Sequence, residues 1–298
     1  MTRSVHPFDS LRNAAQYVRR FRHRPFVVKL GGDLLDDPKL RRAVCEQLAL
    51  LWSFSIPLVL VHGGGAGLDS LCATLGLATE KVAGRRVTSA PVLDAARMAF
   101  KGRIQMDLIG DLEACGIPAV GLSGQDAGLI RSVRRPGQVV DGVAVDYGLV
   151  ADVVEVDPAI LRQLLAGGFV PVLAPFSATA EGQLLNTNAD TVAAEVAAAL
   201  EVEKLFFVLK VAGLLRQWDD PSSLVTHADL AGLAGLVAHG VARDGMRPKL
   251  AAARRALEAG VKSVHLVSGT LPDAILAEVF TNEGSGTMLV AQLPGAAQ

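Results

Sequence analysis

Cysteine is scarce. Cys45, Cys72 and Cys115 are odd in number, widely spaced and set among apolar residues. Such a set builds neither a disulfide framework nor a metal-ligand cluster, and buried thiols in a reducing cytoplasm are expected. An excess of one charge is also missing, because 29 Lys and Arg stand against 30 Asp and Glu, for a net charge of −1. That balance leaves no electrostatic footprint for nucleic acid or for an anionic membrane. Arg19, Arg20, Arg22, His23 and Arg24 form a local basic cluster, which reads as a solvated helix end. No long apolar run occurs either. The longest, Leu48 to Val61, is broken by Ser53, Ser55 and Pro57 and is shorter than the roughly 20 residues a spanning helix needs. Arg3 near the start is followed by no apolar stretch before Asp9, so the start does not read as a secretory signal. The six histidines do not cluster at ligand spacing, and no Ser–His–Asp or Cys–His order is present.

What remains is a well-filled globular chain. Half of its 298 residues are hydrophobic and a fifth are charged, with a mean hydropathy of +0.35. Phe26-Val27-Val28-Lys29-Leu30 reads as a buried strand between Pro25 and Gly31-Gly32, and Leu58-Val59-Leu60-Val61 as a second. Between them a polar turn leads to a helix from about Pro38 to Phe54, with Leu40, Val44, Leu48 and Leu51 on one face. This β–α–β rhythm predicts a parallel sheet covered on both faces. It continues with helices over 68–75 and 95–115 and a strand over 119–122. From Leu129 to Val156, valines alternate with Gly, Asp and Arg around Pro136-Gly137 and Asp141-Gly142, which predicts short antiparallel strands and hairpins forming a lid or pocket wall. A helix over 158–166 and a strand over 170–174 resume the rhythm. The second half carries helices over 191–200, 228–239, 248–259 and 274–280, and strands over 204–209, 263–266 and 287–290. No linker divides the halves, so two lobes sharing one sheet are expected, with the cleft across its carboxyl edge. Ahead of the first strand, residues 9–22 predict an amphipathic helix capped by Asp9 or Ser10.

Five stretches carry possible chemistry. Lys29 stands near a strand's carboxyl end, where Gly31 and Gly32 either let backbone N–H groups approach phosphate or simply make a turn after an edge lysine. Val61-His62-Gly63-Gly64-Gly65-Ala66-Gly67 follows the second strand and opens a helix, an anion site by backbone and helix dipole that fits neither a Walker A nor a dinucleotide glycine pattern. Gly84-Arg85-Arg86-Val87-Thr88 offers guanidinium to a carboxylate, or is a surface loop. In Leu185-Asn186-Thr187-Asn188-Ala189-Asp190, alternate side chains point one way, so Asn186, Asn188 and Asp190 converge on a polar site, and Asn188 or Asp190 also suits a helix cap. Finally Asp244-Gly245-Met246-Arg247-Pro248-Lys249 puts a lysine in a first helical turn, where it opposes the dipole and suits an anionic ligand, or is a solvated lysine.

In this order, and together with Ala119-Val120-Gly121-Leu122-Ser123-Gly124, these motifs resemble the amino acid kinase family nearly end to end, and within it the enzymes that phosphorylate acylated glutamate. The resemblance implies the carbamate kinase-like fold, an α/β three-layer sandwich around a central, mostly parallel sheet. It divides the chain into an N-terminal oligomerisation helix (1–25) and a kinase domain (26–298), the latter with an acyl-amino-acid-binding lobe (26–176) and an ATP-binding lobe (177–298). The implied reaction is phosphorylation of the side-chain carboxylate of N-acetylglutamate by MgATP, for arginine synthesis, with no covalent enzyme intermediate. By that likeness Lys29 and Lys249 hold the moving phosphoryl group and Asp190 orients both lysines. Gly64 and Gly65 bind through their amides, Arg86 grips the substrate α-carboxylate and Asn186 binds substrate. The nucleotide is expected on Gly31, Gly32, Lys210, Val211, Gly213, Leu214, Leu215 and Met246, with Mg2+ held mainly through the ATP phosphates.

Three departures from the family pattern stand out: Gln125 in place of a lysine, Gln105-Met106 in place of an Asn-Lys pair, and Lys210 in place of an aspartate beside the nucleotide. They leave two other readings open, a non-catalytic arginine-sensing or regulatory protein on the same fold, and a kinase for a related acceptor such as a carrier-linked aminoadipate. The chain ends resemble the arginine-inhibited members. Residues 15–21 match an extra N-terminal helix that links dimers into hexamers, and Tyr17, His265, Glu278 and the Gly284 region match an arginine pocket. Expected partners are therefore the two small-molecule substrates, arginine as inhibitor, and further copies of the chain in a cytoplasmic homo-oligomer.

Overall fold

Short apolar runs with no polar alternation form strands that are buried on both faces, and here they do so at the centre of a computed structural model. It describes residues 9–82, 84–140, 142–217, 220–241 and 245–293, with residues 9–11 and 13 as backbone alone. The caps expected at Asp9 or Ser10, the turn residue Asp141 and the motif residue Asp244 lie outside that description. In chain order the first half comprises α1 (Asp9–Phe21), β1 (Phe26–Leu30), α2 (Gly32–Leu35), α3 (Pro38–Ser53), β2 (Leu58–His62), α4 (Gly65–Thr74), β3 (Lys81–Val82), β4 (Arg85–Arg86), α5 (Ala90–Arg97), α6 (Gln105–Ala114) and β5 (Ala119–Ser123). Next come β6 (Ile130–Arg134), β7 (Gln138–Val140), β8 (Val143–Val145), β9 (Ala151–Val156), α7 (Ala159–Ala166), β10 (Val170–Ala174), β11 (Phe176–Ala178) and β12 (Leu184–Asn186). The second half adds α8 (Ala189–Ala199), β13 (Lys204–Leu209), β14 (His227–Asp229), α9 (Leu230–Ala238), α10 (Met246–Glu258), β15 (Ser263–Ser268), α11 (Ala274–Phe280) and β16 (Thr287–Val290).

Eight strands make one sheet in the order β14-β16-β15-β13-β1-β2-β10-β5. Six run parallel, and β16 reverses the sense against β15. Strands of the first half thus continue directly into strands of the second, with β1 pairing β2 on one side and β13 on the other. Alternation along β1 divides the core. Phe26, Val28 and Leu30 pack with Val44, Leu48, Leu68 and Leu108 on one face. Val27 packs on the other face with Val192, Val196 and Leu250. Helices on both faces give the expected three layers. The parallel strands all finish at one edge, so Lys29, His62, Ser123, Ala174, Leu209 and Ser268 come to a common rim.

Several elements differ from the sequence expectation. The polar turn after β1 contains the short helix α2, and α4 begins at Gly65 rather than at residue 68. The single long helix expected over 95–115 is α5 and α6 joined by a π-helical segment, Met98–Ile104. Residue 228 belongs to β14, because the Asp229 side chain accepts from the Gly232 N–H and starts α9 after it. The hairpin β3–β4 and the strands β11 and β12 were not expected. They are two or three residues long, too short to show a period. The valine-rich stretch does form antiparallel pairs, β6 with β9 and β7 with β8.

Candidate active site

Two turns and two helix starts meet at the carboxyl rim. After β1 the Gly31 N–H donates to the Val208 carbonyl at 3.3 Å, and after β2 the Gly63 N–H donates to the Leu30 carbonyl at 3.0 Å. These bonds draw the glycine turns together. A Cβ on Gly32 would lie 2.8 Å from the Gly64 Cα, and one on Gly64 would lie 2.3 Å from the Ile104 Cδ1. No side chain fits there, so the backbone forms the floor, and the first N–H groups of α4 face out without helical acceptors. Phe100 and Ile104 of the π segment are what press on Gly64, in keeping with the placement of π turns at functional sites.

The charged centre is built by caps. Asn188 accepts from the N–H groups of Asp190 and Thr191 at 2.9 and 3.0 Å, which starts α8 and sets Asp190 in its first turn. Asp190 Oδ1 lies 2.9 Å from Lys29 Nζ and Oδ2 lies 3.4 Å from Lys249 Nζ. Lys249 also donates to the Gly245 carbonyl at 3.1 Å. Side-chain exposure is 7% for Lys29, 6% for Asp190 and 19% for Lys249, so the triad sits almost out of water. Burial alone would raise the Asp190 pKa, but Lys29 and Lys249 outweigh it and hold the carboxyl below its ordinary value. Burial lowers the Lys249 pKa, with Asp190 opposing. One carboxylate between two ammonium groups leaves an excess positive charge, which suits a phosphoryl group and nothing neutral.

Beside this centre lies an open cleft of about 190 Å3, lined by Lys29, Gly64, Gly65, Arg86, Asn186 and Asp190 among others. All expected acceptor-side residues are therefore brought together. Asn186 donates to Thr88 Oγ1 at 3.1 Å. Arg86 is less free than its motif suggested: its guanidinium pairs with Asp69 and donates to the Gly65 carbonyl at 3.2 Å. Both Asn186 and Asn188 line the cleft, and Asn188 is also the helix cap.

The nucleotide-side residues divide. Gly31, Gly32 and Met246 sit at element starts on the rim. Lys210 is exposed just beyond β13, with Val211 and Leu215 partly buried nearby. Leu214 is different, being 1% exposed within the core while its N–H donates to Thr287 Oγ1. Its side chain is structural. Gly213 packs against the same threonine, 2.6 Å from where a Cβ would stand. Of the departures, Gln105 is buried and donates to the Leu122 and Val172 carbonyls, both at 2.8 Å, joining α6 to β5 and β10.

At the far edge a second cavity, about 320 Å3, contains Tyr17, His265, Glu278 and Gly284 together. Glu278 is its hub. Its Oε1 meets His265 Nδ1 at 2.7 Å, and its Oε2 accepts from the N–H groups of Ser285 and Gly286 at 2.7 and 3.0 Å. Gly284 has φ +68°, and a Cβ there would lie 2.7 Å from Glu278 Oε2, so glycine is required twice over. Burial outweighs the Glu278 contact and lowers the His265 pKa to about 4, which leaves the ring neutral at pH 7. Tyr17 donates to Asn282, tying α1 to the end of α11. Sequence reasoning missed Lys204, whose Nζ lies 2.9 Å from His265 Nε2 in the same cavity and whose pKa burial lowers to about 8. A lysine opening a buried strand was the available signal.

The model of the Amino acid kinase family matches residues 24–268. A relative from Myxococcus xanthus (strain DK1622), curated as acetylglutamate kinase, is 57% identical over 306 aligned residues, covering 100% of this chain and 99% of its own. Among solved structures, N-acetylglutamate synthase from Neisseria gonorrhoeae complexed with coenzyme A and N-acetyl-glutamate matches with a TM-score of 0.84 at 28% identity, over 97% of this chain and 64% of the synthase. The same synthase complexed with coenzyme A and L-arginine matches with a TM-score of 0.80 at 26% identity, over 96% of this chain and 66% of that one. This chain thus spans about two thirds of the synthase and nearly all of the Myxococcus relative.

Proposed function

The chain belongs to the amino acid kinase family, and from that premise we propose that its cleft carries out the acetylglutamate kinase reaction, moving the γ-phosphoryl group of ATP to the side-chain carboxylate of N-acetyl-L-glutamate. The observation that carries this reading is the buried Lys29–Asp190–Lys249 array beside two touching glycine turns. A carboxylate oxygen attacks the γ-phosphorus as the β–γ bridging oxygen departs with ADP. No side chain need form a bond, since phosphoryl transfer is alignment plus neutralisation of spread charge. Lys29 and Lys249 face that charge, and Asp190 holds their ammonium groups a fixed distance apart. The Gly64 and Gly65 amides meet anionic oxygens, while Asn186 and Arg86 shape the acceptor end. We assign the acceptor to residues 26–176 and the nucleotide to residues 177–298, with Gly31, Gly32, Lys210, Val211, Gly213, Leu215 and Met246 as its surroundings.

Magnesium fits this arrangement only as part of the nucleotide. Among the described residues no group of three or more His, Cys, Asp or Glu is placed to hold a metal ion. Asp190, the one carboxylate among the described residues that line the cleft, is taken by two lysines. The ion therefore belongs to the ATP phosphates. The intact array also argues against a purely sensing role, because a sensor has no need of two buried lysines on one acid.

Purified protein given MgATP and N-acetylglutamate is expected to form an acyl phosphate that hydroxylamine traps as a hydroxamate. Absence of hydroxamate, with ATP and acceptor both present, would sink the reading. Among the described residues no helix is long and apolar enough to cross a membrane, and we place the enzyme in the cytoplasm.

The cavity around Glu278 supports a regulatory reading, arginine as inhibitor, since it gathers the acidic residues Glu203, Glu278 and Glu283 beside Tyr17 of α1. Arginine must prefer one arrangement of ring and lobes, because equal affinity for both shifts nothing. The expected outcome is a hexamer whose Tm rises with arginine, and which becomes a dimer when residues up to Arg24 are deleted. Light scattering on the deletion decides it, and a hexamer that survives removes α1 from assembly.

A further inference from the structure

The joint between α5 and α6 is the π-helical segment Met98–Ile104, a rare geometry that is wider than an α-turn by one residue. Its register is closed by the Gln105 N–H, which donates to the Phe100 carbonyl five residues back. The Gln105 side chain then leaves the helix. It is 3% exposed, and its Nε2 donates to the Leu122 carbonyl of β5 and the Val172 carbonyl of β10, both at 2.8 Å. One amide group thereby spans two strands just below the carboxyl rim. So close an approach needs room, and Gly121 of β5 supplies it. A Cβ there would lie 2.8 Å from Gln105 Oε1 and 2.9 Å from Ile109 Cδ1.

What the pinned segment presents to the cleft is a wall. Phe100 is the one aromatic ring among the described residues that line it. The Phe176 ring stands 5.7 Å from it between centroids, and Phe100 and Ile104 together fill the space that a Gly64 Cβ would need. Arg103 of the same segment reaches α4 at Gly67, where a Cβ would lie 2.7 Å from its Nη2, and it pairs with Asp36 at 3.7 Å. The segment therefore bears on the start of α4 at two glycines. With Val150 and Pro175, Phe100 gives apolar surface to a cleft lined otherwise mainly by glycine and polar side chains, and the methylene groups of an acceptor are what such surface meets. Reversion of the π turn to an α-turn swings the side chains on one side of it by about 100° around the helix axis. Phe100 would then leave the cleft.

We propose that Gln105 is a positioning residue which, by pinning the π turn to β5 and β10, holds Phe100 as the stop that sets the chain length of the acceptor. The proposal rests on the kinase reading of the same cleft and adds how long an acceptor that cleft takes. Gln105 touches no substrate. It acts through Phe100 and, by the contact at Gly64, through an amide that meets an anionic oxygen. An acceptor with one methylene more than glutamate runs into the ring, and one misfitted methylene in a packed wall is worth roughly 10- to 200-fold in discrimination. The family pattern has asparagine at this position, shorter by one methylene. Q105N therefore tests the reach of the side chain, and Q105L its amide.

The test uses the full chain, its Q105L and Q105N variants, and two acceptors, N-acetylglutamate and the one-methylene-longer N-acetylaminoadipate, with MgATP. The parent is expected to prefer the shorter acceptor by about 10-fold or more in kcat/KM. Q105L is expected to lower kcat/KM for N-acetylglutamate about 10-fold and to change that for the longer acceptor less than about twofold, with KM for ATP held within about twofold. Q105N is expected between parent and Q105L. An equal loss for both acceptors marks a purely structural residue and overturns the proposal, as does an unchanged preference or a parent with no preference for the shorter acceptor. Each of these leaves the kinase reading intact. Calorimetry of both acceptors without nucleotide separates the two failures. A parent that binds them but phosphorylates neither loses the kinase reading, and the survival or loss of the length preference in Q105L affinities still decides the role of Gln105. A parent that binds neither overturns both. Should Q105L fail to fold, Q105N carries the test, and the parental preference there overturns the proposal.

Discussion

Lys249→Ala is expected to lower kcat about 10²- to 10³-fold, the loss typical of removing one donor aimed at transition-state charge, with acceptor KM moving no more than a few-fold. The reason lies in where the ammonium is held. Lys249 Nζ is 3.4 Å from Asp190 and 3.1 Å from the Gly245 carbonyl, tied to the centre and outside the residues that line the acceptor cleft. It therefore contributes little to ground-state binding of the acceptor. What it faces is charge that spreads over the phosphoryl oxygens during transfer, and in a nearly dry site that interaction is strong. ADP release measured over a range of acceptor concentrations separates the two parameters. Unchanged turnover would remove Lys249 from the mechanism, and a loss confined to KM would reassign it to binding.

Asp190→Ala is expected to destabilise the fold by roughly 3–5 kcal/mol, because removing one partner of a buried ionic group leaves the others uncompensated. Two lysines would then share a site with side-chain exposures of 7% and 19% and no acid between them. The effect carries a pH signature. The folded pKa of Asp190 is lowered from 3.8, so its contribution is fully present above that ordinary value and is lost as pH falls through the folded one. Urea midpoints of wild type and D190A should therefore lie far apart at pH 7 and draw together in acid below about pH 4. Equal midpoints at pH 7 would show that the array is not load-sharing in the fold, and activity alone would remain as its role.

The buried strands β1, β2, β10 and β13 were legible because each is a continuous apolar run, and their β–α rhythm led directly to a parallel sheet with the glycine turns at one edge. Lys29, Gly64 and Gly65 followed from that edge, while the roles of Asp190 and Lys249 came with the resemblance to the amino acid kinase family. What was not legible belongs to elements too short to carry a period, or to partners distant in the chain. The hairpin holding Arg85 and Arg86 is two residues a side, and nothing in its motif announces that Asp69 claims one arginine and not the other. Leu214 looked like part of a nucleotide loop, but the Thr287 hydroxyl, 73 residues on, turns it into the core. The π segment is equally silent, since its residues have ordinary helical preferences and its extra width appears only against Gly64.

The place of β1 in the sheet has a consequence for how the chain comes into being. Its partner β2 follows almost at once, yet its other neighbour opposes Phe26 with Lys204. During synthesis at about 5–20 residues per second, one edge of the strand that bears Lys29 waits on the order of 10 s or more with its amides and carbonyls unpaired. For that interval the growing chain presents a flat apolar template of the kind that recruits other strands. The acid that later joins the two lysines is made during the same wait. Closure of the nascent edge by residues 204–209 therefore comes first, and catalytic competence waits further, for the helix that brings Lys249.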